Sequence, residues 1–590
     1  MKHIFILFLV LGQTIAAQDL TQYRVHSHND YYRNIPFWNA LASGATSIEA
    51  DVFLKDGGLF VAHSADEIQK DRSLESLYIK PLQQSISLGS MADVKLQLLI
   101  DIKSEAYSTL DAITNLLKKY PLLTQQNNIS FVISGNRPTP EEYMNYPAFI
   151  SFDYQSLDPI NDERITNKIA LVSLSFGKFS KWNGLGRLTK NDSTLVVNTI
   201  KKGHALKKPF RFWGTPDTKT AWQAFASMGI DFINTDKPFE CYNYLKTLAD
   251  RTFSISKDYS TVYTPTFVSD GKQKPVENVI LLIGDGNGLS QITATQQANK
   301  GSLSVTQLKS IGLIKTQSAD DFTTDSAAGA TAMSTGQKTN NRAIGTDKKG
   351  KKIANLTEIL SKKGFSTGII TTDNVTGATP SSFYAHQIDR SQSEDILKDL
   401  FKSSLNLVMG KGDYKEENNG FFKIAAAPSQ IGNMPINRTA FFYADETESI
   451  DFLASLTEEG LTHLNQEKKP FFLMVEGANI DSYGHKNSVE GIVTEGISFD
   501  KAISEALKFA DENQNTLVII TADHETSGFS LPHGSISDNS IEGDFASTDH
   551  SAVMVPLFAY GPQSNEFTGV YDNHMIFQKI IKVLKVSLDE

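Results

Sequence analysis

Cysteine is nearly absent. The 590-residue chain has one, Cys241, so no intrachain disulfide can form. Core packing, and metal ions where side chains allow them, must hold the fold. Long apolar runs are missing too. Beyond residues 1–17 none approaches the roughly 20 residues a membrane helix needs, so no membrane span is expected. Positive charge is in deficit: 56 Lys and Arg against 67 Asp and Glu leave a formal charge of −11. That balance argues against nucleic acid as a partner. Small phosphate esters stay open as substrates, because bound cations would set the local field. No internal repeat or long low-complexity tract occurs. What the chain has is apolar and aromatic material: 40% hydrophobic residues, with 35 Phe and 19 Tyr. This is a globular composition, too long for a single core, and two or three domains are expected.

Residues 1–17 read as a cleaved signal peptide. Lys2 supplies a basic start, Ile4 to Leu11 an apolar core too short to span a bilayer, and Ala16 and Ala17 a small-residue cleavage point. The expected localisation is periplasmic or secreted.

The chain is organised around Val279 to Gly286. An apolar run ends in Asp285, held between Gly284 and Gly286. This is the pattern of a buried parallel strand with a carboxylate at its C-terminal edge. Phe471 to Val475 runs into Glu476, with Asp481 and His485 beyond, and Leu517 to Thr521 runs into Asp523 and His524. Open α/β sheets place their sites at the carboxyl ends of strands, so these acidic tips should converge on a metal site.

Between residues 19 and 255 eight strand-like segments follow one another: 24–28, 47–53, 98–103, 129–134, 149–154, 170–176, 210–214 and 231–235. Helical patterns between them, such as Tyr107 to Lys119 and Thr220 to Met228, suggest a (β/α)8 TIM-barrel-like domain, with a doubly wound sheet as the alternative. Polar groups collect at the predicted strand ends. His28 follows the first strand; Glu49 and Asp51 close the second on one face; His63 ends a short apolar segment; Asp101 and Lys103 close the third. Two histidines and three carboxylates suit one divalent cation and acid–base chemistry.

These residues carry a resemblance. His28-Asn29-Asp30, Gly44 to Asp51, Lys55-Asp56-Gly57, Val61-Ala62-His63, Ile100 to Lys103 and Gly229 to Pro238 are similar to glycerophosphodiester phosphodiesterases, whose fold and logic are those of phosphatidylinositol-type phospholipases C. The resemblance implies that His28 and His63 are the acid–base pair and that Glu49, Asp51 and Asp101 hold Ca²⁺ or Mg²⁺. Two positions depart from it. Asn29 stands where a phosphate-binding arginine is usual, and Asp101 where a Glu is usual.

Residues 256–275 lack helical periodicity, contain a turn signal at Asp270-Gly271-Lys272, and read as a linker. The second domain, 276–590, has a helix start at Thr324-Asp325-Ser326. Amides at such a start favour phosphate oxygens. Read alone, Asp325-Ser326 is a helix cap; beside a metal, Ser326 becomes a nucleophile. Asp481 and His485 are four apart and share a face if helical. His550 follows the turn Ser547-Thr548-Asp549.

Ile283 to Gly286, Thr324 to Ala328, Val475 to Asp481, Thr521 to His524 and Asp549-His550 together resemble alkaline phosphatases, in order and over nearly the whole domain. The expected fold is α/β, with a central, mostly parallel sheet. The resemblance implies roles. Ser326 forms a phosphoseryl intermediate. Asp481, His485 and His550 hold one Zn²⁺, and Asp285, Asp523 and His524 a second. Asp285 also reaches a Mg²⁺ held by Thr379 and Glu476, and Arg390 clamps the phosphate. Gly377 stands where the family commonly has Asp or His, and Ser482 where some members have Lys. His533 and His574 receive no role. The expectation is a secreted bifunctional phosphohydrolase whose first domain cleaves phosphodiesters and whose second releases phosphate from the monoesters. The alternatives are a non-catalytic binding module in the first position, and a diester or sulfate-ester preference in the second. A homodimer is one candidate assembly.

Overall fold

A computed structural model describes residues 24–588, apart from 91–93, 255–259, 413, 415–420, 436–437, 445–448, 467 and 537–539. The signal peptide expected over residues 1–17 lies outside the described residues. The chain divides into two compact units, 1–249 and 250–590.

The first unit is the closed barrel expected from eight strand–helix rounds. Its strands are Arg24–Ser27, Ser47–Lys55, Leu96–Ile102, Ile129–Gly135, Ile150–Tyr154, Ile169–Ser175, Phe210–Trp213 and Phe232–Thr235. Each is parallel to the next, and the first pairs with both the second and the last, which closes the ring. A ninth strand, Gly58–Val61, folds back antiparallel onto the second. Alternation of side chains along each strand sorts residues inside and out. Leu99, Val132, Leu171 and Phe232 pack into one fully buried interior cluster. Asp101 is two residues beyond Leu99, so it faces the same interior one layer nearer the carboxyl mouth. The register sets Asp51 opposite Asp101.

The second unit is built on a ten-stranded, mostly parallel sheet. At its centre Asn278–Gly284 lies between Phe471–Gly477 and Thr516–Thr521, parallel to both. Val279, Ile280, Leu281, Leu282 and Ile283 are fully buried, which is why the run is apolar without alternation: helices cover both faces. Each such side chain contributes about 1.5–3 kcal/mol. Register pairs Ile283 with both Glu476 and Thr521, so the three acidic tips emerge at one edge. Val555–Tyr560 runs antiparallel to both its neighbours.

The stretch expected as a linker has little regular structure, yet its described residues are fastened to the second unit. Just ahead of it, Thr252–Ser254 pairs with Ser540–Asp544. Tyr263 and Thr266 donate to Asp511, and the Gly271 amide donates to Gly561 O.

Candidate active sites

In the second unit, the helix Ser326–Thr335 begins at Ser326. Asp325 caps it, its Oδ1 accepting from the Ala328 amide at 3.0 Å. Capping therefore falls to Asp325 and leaves the Ser326 hydroxyl free to face the strand ends. Ser326 Oγ lies 3.4 Å from His524 Nε2. Arg390 Nη1 donates to Asp325 Oδ2 at 3.1 Å, which holds the guanidinium beside the helix start.

Around this serine the structure gathers the acidic tips and histidines. Asn479–His485 is a helix, and His485 Nε2 stands 3.2 Å from Asp481 Oδ2. His550 Nε2 lies 3.2 Å from His485 Nε2 and 3.5 Å from Asp481 Oδ1. His524 Nε2 is 3.4 Å from Asp285 Oδ1 and 3.3 Å from Asp523 Oδ2. Two groups of potential ligand atoms result, Asp481 with His485 and His550, and Asp285 with Asp481 and His524; Asp481 faces both. Gly286, at φ 68°, is required here: a Cβ would meet Thr526 Oγ1 at 2.5 Å and the Asp481 backbone at 3.0 Å.

The electrostatics are those of a site short of positive charge. Burial pushes the Asp285 carboxyl up, and the charges of Asp523, Asp481 and Glu476 push it further. Burial, then the charge of Asp373, raises Glu476 to about 8. Burial opposes ionisation of Asp481, but His485 and His524 hold it below the usual carboxylate range. Asp285 Oδ1 and Asp523 Oδ2 are sealed from solvent without a hydrogen bond, a costly state for an acidic oxygen.

The histidines fit a cation in the same place. His485 Nδ1 is bonded to Thr548 O at 2.6 Å and His550 Nδ1 to Thr324 O at 2.9 Å. Carbonyls accept, so both Nδ1 atoms carry protons and both Nε2 atoms turn inward toward each other. A positive charge must lie between them and Asp481. In the bare cluster a proton serves, and the Asp481 bond raises His485 to about 9. A tetrahedral ion with bonds of about 2.0–2.1 Å would place its ligand atoms about 3.3 Å apart, close to the spacing here. Glu476 is fully buried, accepts from Thr371 Oγ1 and adjoins Thr379, which is also buried.

The first unit gathers its residues differently. Glu49, Asp51 and Asp101 bring their oxygens together at the barrel mouth. Lys103 Nζ sits among them, 2.9 Å from Asp101 Oδ2 and 3.1 Å from Asp51 Oδ2. Arg211, from the seventh strand, lies buried beneath, donating to Glu49 Oε2 at 2.8 Å and Asn234 Oδ1 at 3.2 Å. Burial opposes the Glu49 charge, but Arg211 and His26 hold its carboxyl well below the ordinary value. Burial and then Glu49 raise Asp51 to about 6. His28 Nδ1 is bonded to Asp236 Oδ1 at 2.8 Å. Burial would lower its pKa, yet Asp236 and Glu49 raise it. His63 is half exposed, 3.4 Å from Asp51 and 3.2 Å from the Tyr31 hydroxyl. Gly135, at φ 67°, leaves room for Asp101: a Cβ there would overlap Oδ1 at 1.8 Å.

Sequence reasoning missed Arg211, Asp236, Tyr31 and the cation role of Lys103. A signal for Arg211 was present, since a lone charge between Phe210 and Phe212 on a core strand must be paired. His533 lies on Ser530–Ser535, and His574 beside Asp572, Lys338 and Lys315, among none of these groups.

The comparisons with known proteins follow the same division. The alkaline phosphatase family model matches residues 276–419 and 438–543. An AIM6-like phosphodiesterase domain model matches 14–90, and that of the glycerophosphoryl diester phosphodiesterase family matches 209–238. Alkaline phosphatase 3 of Bacillus subtilis is 29% identical over 427 residues, 54% of this chain and 91% of that protein. The structure of alkaline phosphatase from the Antarctic bacterium TAB5 is 40% identical with a TM-score of 0.50, covering 53% of this chain and all of that one. A variant of that enzyme with Mg bound in the M3 site is 38% identical with a TM-score of 0.51, covering 54% and 100%. Fold and matches together define the second unit as a phosphomonoester hydrolase. The chain belongs to the alkaline phosphatase family, with phosphodiesterase-like segments ahead of the family domain.

Proposed function

We propose a secreted bifunctional phosphohydrolase in which the second unit acts through Ser326. The observation that carries this is a serine hydroxyl released from capping at a helix start, 3.4 Å from His524 Nε2, beside Asp285 and Asp523 oxygens that are buried without a hydrogen bond. Asp481, His485 and His550 would hold one Zn²⁺, Asp285, Asp523 and His524 a second, and Asp285, Thr379 and Glu476 a Mg²⁺. When bound, these ions would supply charge to the attacking and leaving oxygens. The chain's own groups do the rest. Ser326 Oγ bonds to phosphorus as the ester P–O bond breaks, and the alcohol leaves with a proton. Arg390 donates to two non-bridging oxygens, and the helix amides add to it. Water then cleaves the seryl phosphate, restoring Ser326 and releasing phosphate. Ser326 as nucleophile favours monoesters over diesters and sulfate esters. Ser326→Ala should abolish the labelled phosphoenzyme while zinc content stays at the wild-type level; a phosphoenzyme persisting in that variant would refute the role.

For the first unit the proposal is phosphodiester cleavage feeding the second. His28 and His63 would exchange protons with the attacking and leaving oxygens, and Glu49, Asp51 and Asp101 would hold Ca²⁺ or Mg²⁺. One observation favours a second reading, a binding module without turnover: Lys103 Nζ already lies among those carboxylates. The Ser326→Ala protein separates them. Cleavage of glycerophosphodiesters or inositol phosphodiesters to an organic phosphate, stopped by changing His28, His63 or Glu49 to Ala, supports catalysis. No cleavage across a broad panel with Ca²⁺ and Mg²⁺ supplied supports binding alone. The secretion proposal rests on residues 1–17 and is tested by the mass of the N-terminal peptide of exported protein.

A further inference from the structure

Gly377 leaves a gap near Glu476, and another residue fills it. A Cβ on Gly377 would stand 2.0 Å from Asp373 Oδ2, 2.8 Å from its Cγ and 2.9 Å from the Asn374 carbonyl oxygen, so the carboxylate is by far the tightest contact. A side chain at 377 and the observed Asp373 carboxylate therefore exclude each other. The glycine is not required by its backbone: φ −59° and ψ 163° are open to any residue. Space alone excludes a side chain there.

Asp373 is aimed at that space by its neighbours. It lies near the end of the strand Ser366–Asn374. Its amide donates to Thr371 Oγ1 at 2.8 Å, and its Oδ1 accepts from the Asn374 amide at 2.7 Å. Those bonds turn Oδ2 toward Gly377. Thr371 Oγ1 in turn donates to Glu476 Oε2, so one threonine links the two acids. Beside Glu476, Thr379 Oγ1 is sealed from solvent without a hydrogen bond of normal geometry. Asp285 Oδ1 is likewise buried without one. Oxygens gathered without donors suit a hard cation that keeps part of its water shell.

We propose that Asp373 supplies the acidic side chain that position 377 lacks, so that a Mg²⁺ held by Asp285, Thr379 and Glu476 is also held, directly or through its water, by Asp373. The proposal rests on the metal reading above. It moves one donor from the start of a short helix to the end of a strand, four residues earlier, and delivers the charge that an Asp at 377 would.

The test uses the full chain loaded with zinc, with Mg²⁺ as the probe. Bound Mg per chain is measured by elemental analysis, and Mg affinity by the dependence of the thermal midpoint on Mg²⁺ concentration. Asp373→Ala should weaken Mg²⁺ about 10–100-fold, the range for losing a supporting group of a metal site, with zinc content unchanged. Gly377→Ala should do the same by displacing the carboxylate. In the Asp373→Ala background, Gly377→Ala should add little, since only the Asn374 carbonyl at 2.9 Å remains in its way, and Gly377→Asp should recover affinity. Asp373→Asn, nearly isosteric, covers the case in which the alanine variant does not fold. Mg²⁺ affinity unchanged in both Asp373→Ala and Asp373→Asn overturns the proposal. So do additive losses from the two alanine changes, since contact requires coupling. A wild-type protein holding zinc but no magnesium overturns it too, and leaves the zinc reading standing. A wild type holding neither ion overturns both.

Discussion

Both units bring acidic side chains to the carboxyl ends of parallel strands, but they balance that charge in opposite ways. In the barrel, Lys103 and Arg211 stand within 3.1 Å of Asp51, Asp101 and Glu49. In the second unit, Asp285, Glu476, Asp481 and Asp523 gather with one guanidinium, Arg390, whose Nη1 is engaged by Asp325. Two like charges about 4 Å apart repel by about 4 kcal/mol at an effective dielectric of about 20. The barrel answers that repulsion with its own side chains, whereas the second unit places little covalently attached positive charge beside its acids, an arrangement suited to bound cations. A cluster of carboxylates is therefore not by itself a metal centre. The covalently attached positive charge beside it decides how much an ion can add.

The sharpest way to break this comparison is Ser326→Ala. Monoester turnover should fall at least ~10³-fold, as it does when a nucleophile is removed and its surroundings are kept. Any diester cleavage by the barrel should persist, and parallel assays of organic phosphate and free phosphate read the two apart. Arg390→Ala comes next. It should lower kcat/KM for monoesters about 10²–10³-fold, the range for one donor aimed at developing charge. Its thermal midpoint should hardly move, because a partly exposed ion pair is worth about 0–1 kcal/mol.

Chelation probes the difference directly. Removing divalent ions should destabilise the second unit by about 4 kcal/mol for each ion otherwise present at ~1,000 times its Kd, and should move the barrel's unfolding less, because Lys103 already sits between Asp51 and Asp101. Calorimetry with and without chelator would show which transition moves more. The smallest effect is expected from Lys103→Met. Removing the ammonium leaves Asp51 and Asp101 facing each other, which should cost about 1–3 kcal/mol without added ions. It should also make the barrel's stability more strongly dependent on Ca²⁺ than in the wild type. A Lys103→Met barrel no more responsive to Ca²⁺ than the wild type would mean that the internal cation is not what distinguishes the two sites.

Local pattern carried much of this protein. The apolar runs at 279–283, 471–475 and 517–521 could be placed because both faces of a parallel sheet are covered and alternation disappears. Ser326, Asp481 and His485 could be placed because a helix start and an i, i+4 pair are short-range geometry. The eight barrel strands were legible for the same reason, as apolar segments repeating between amphipathic helices. Distant pairings were not legible. Arg211 reaches Glu49 across 162 positions and Asp236 reaches His28 across 208, and no local periodicity encodes which strands become neighbours when a sheet closes on itself. The division of labour at the serine was equally hidden, because Asp325 as cap and Ser326 as free hydroxyl differ only in which way each side chain turns. Position 377 shows the limit most plainly. Sequence marks it as lacking an expected side chain, but only packing places the Asp373 carboxylate in the same space, because exclusion between atoms is a property of three-dimensional proximity that chain order does not contain.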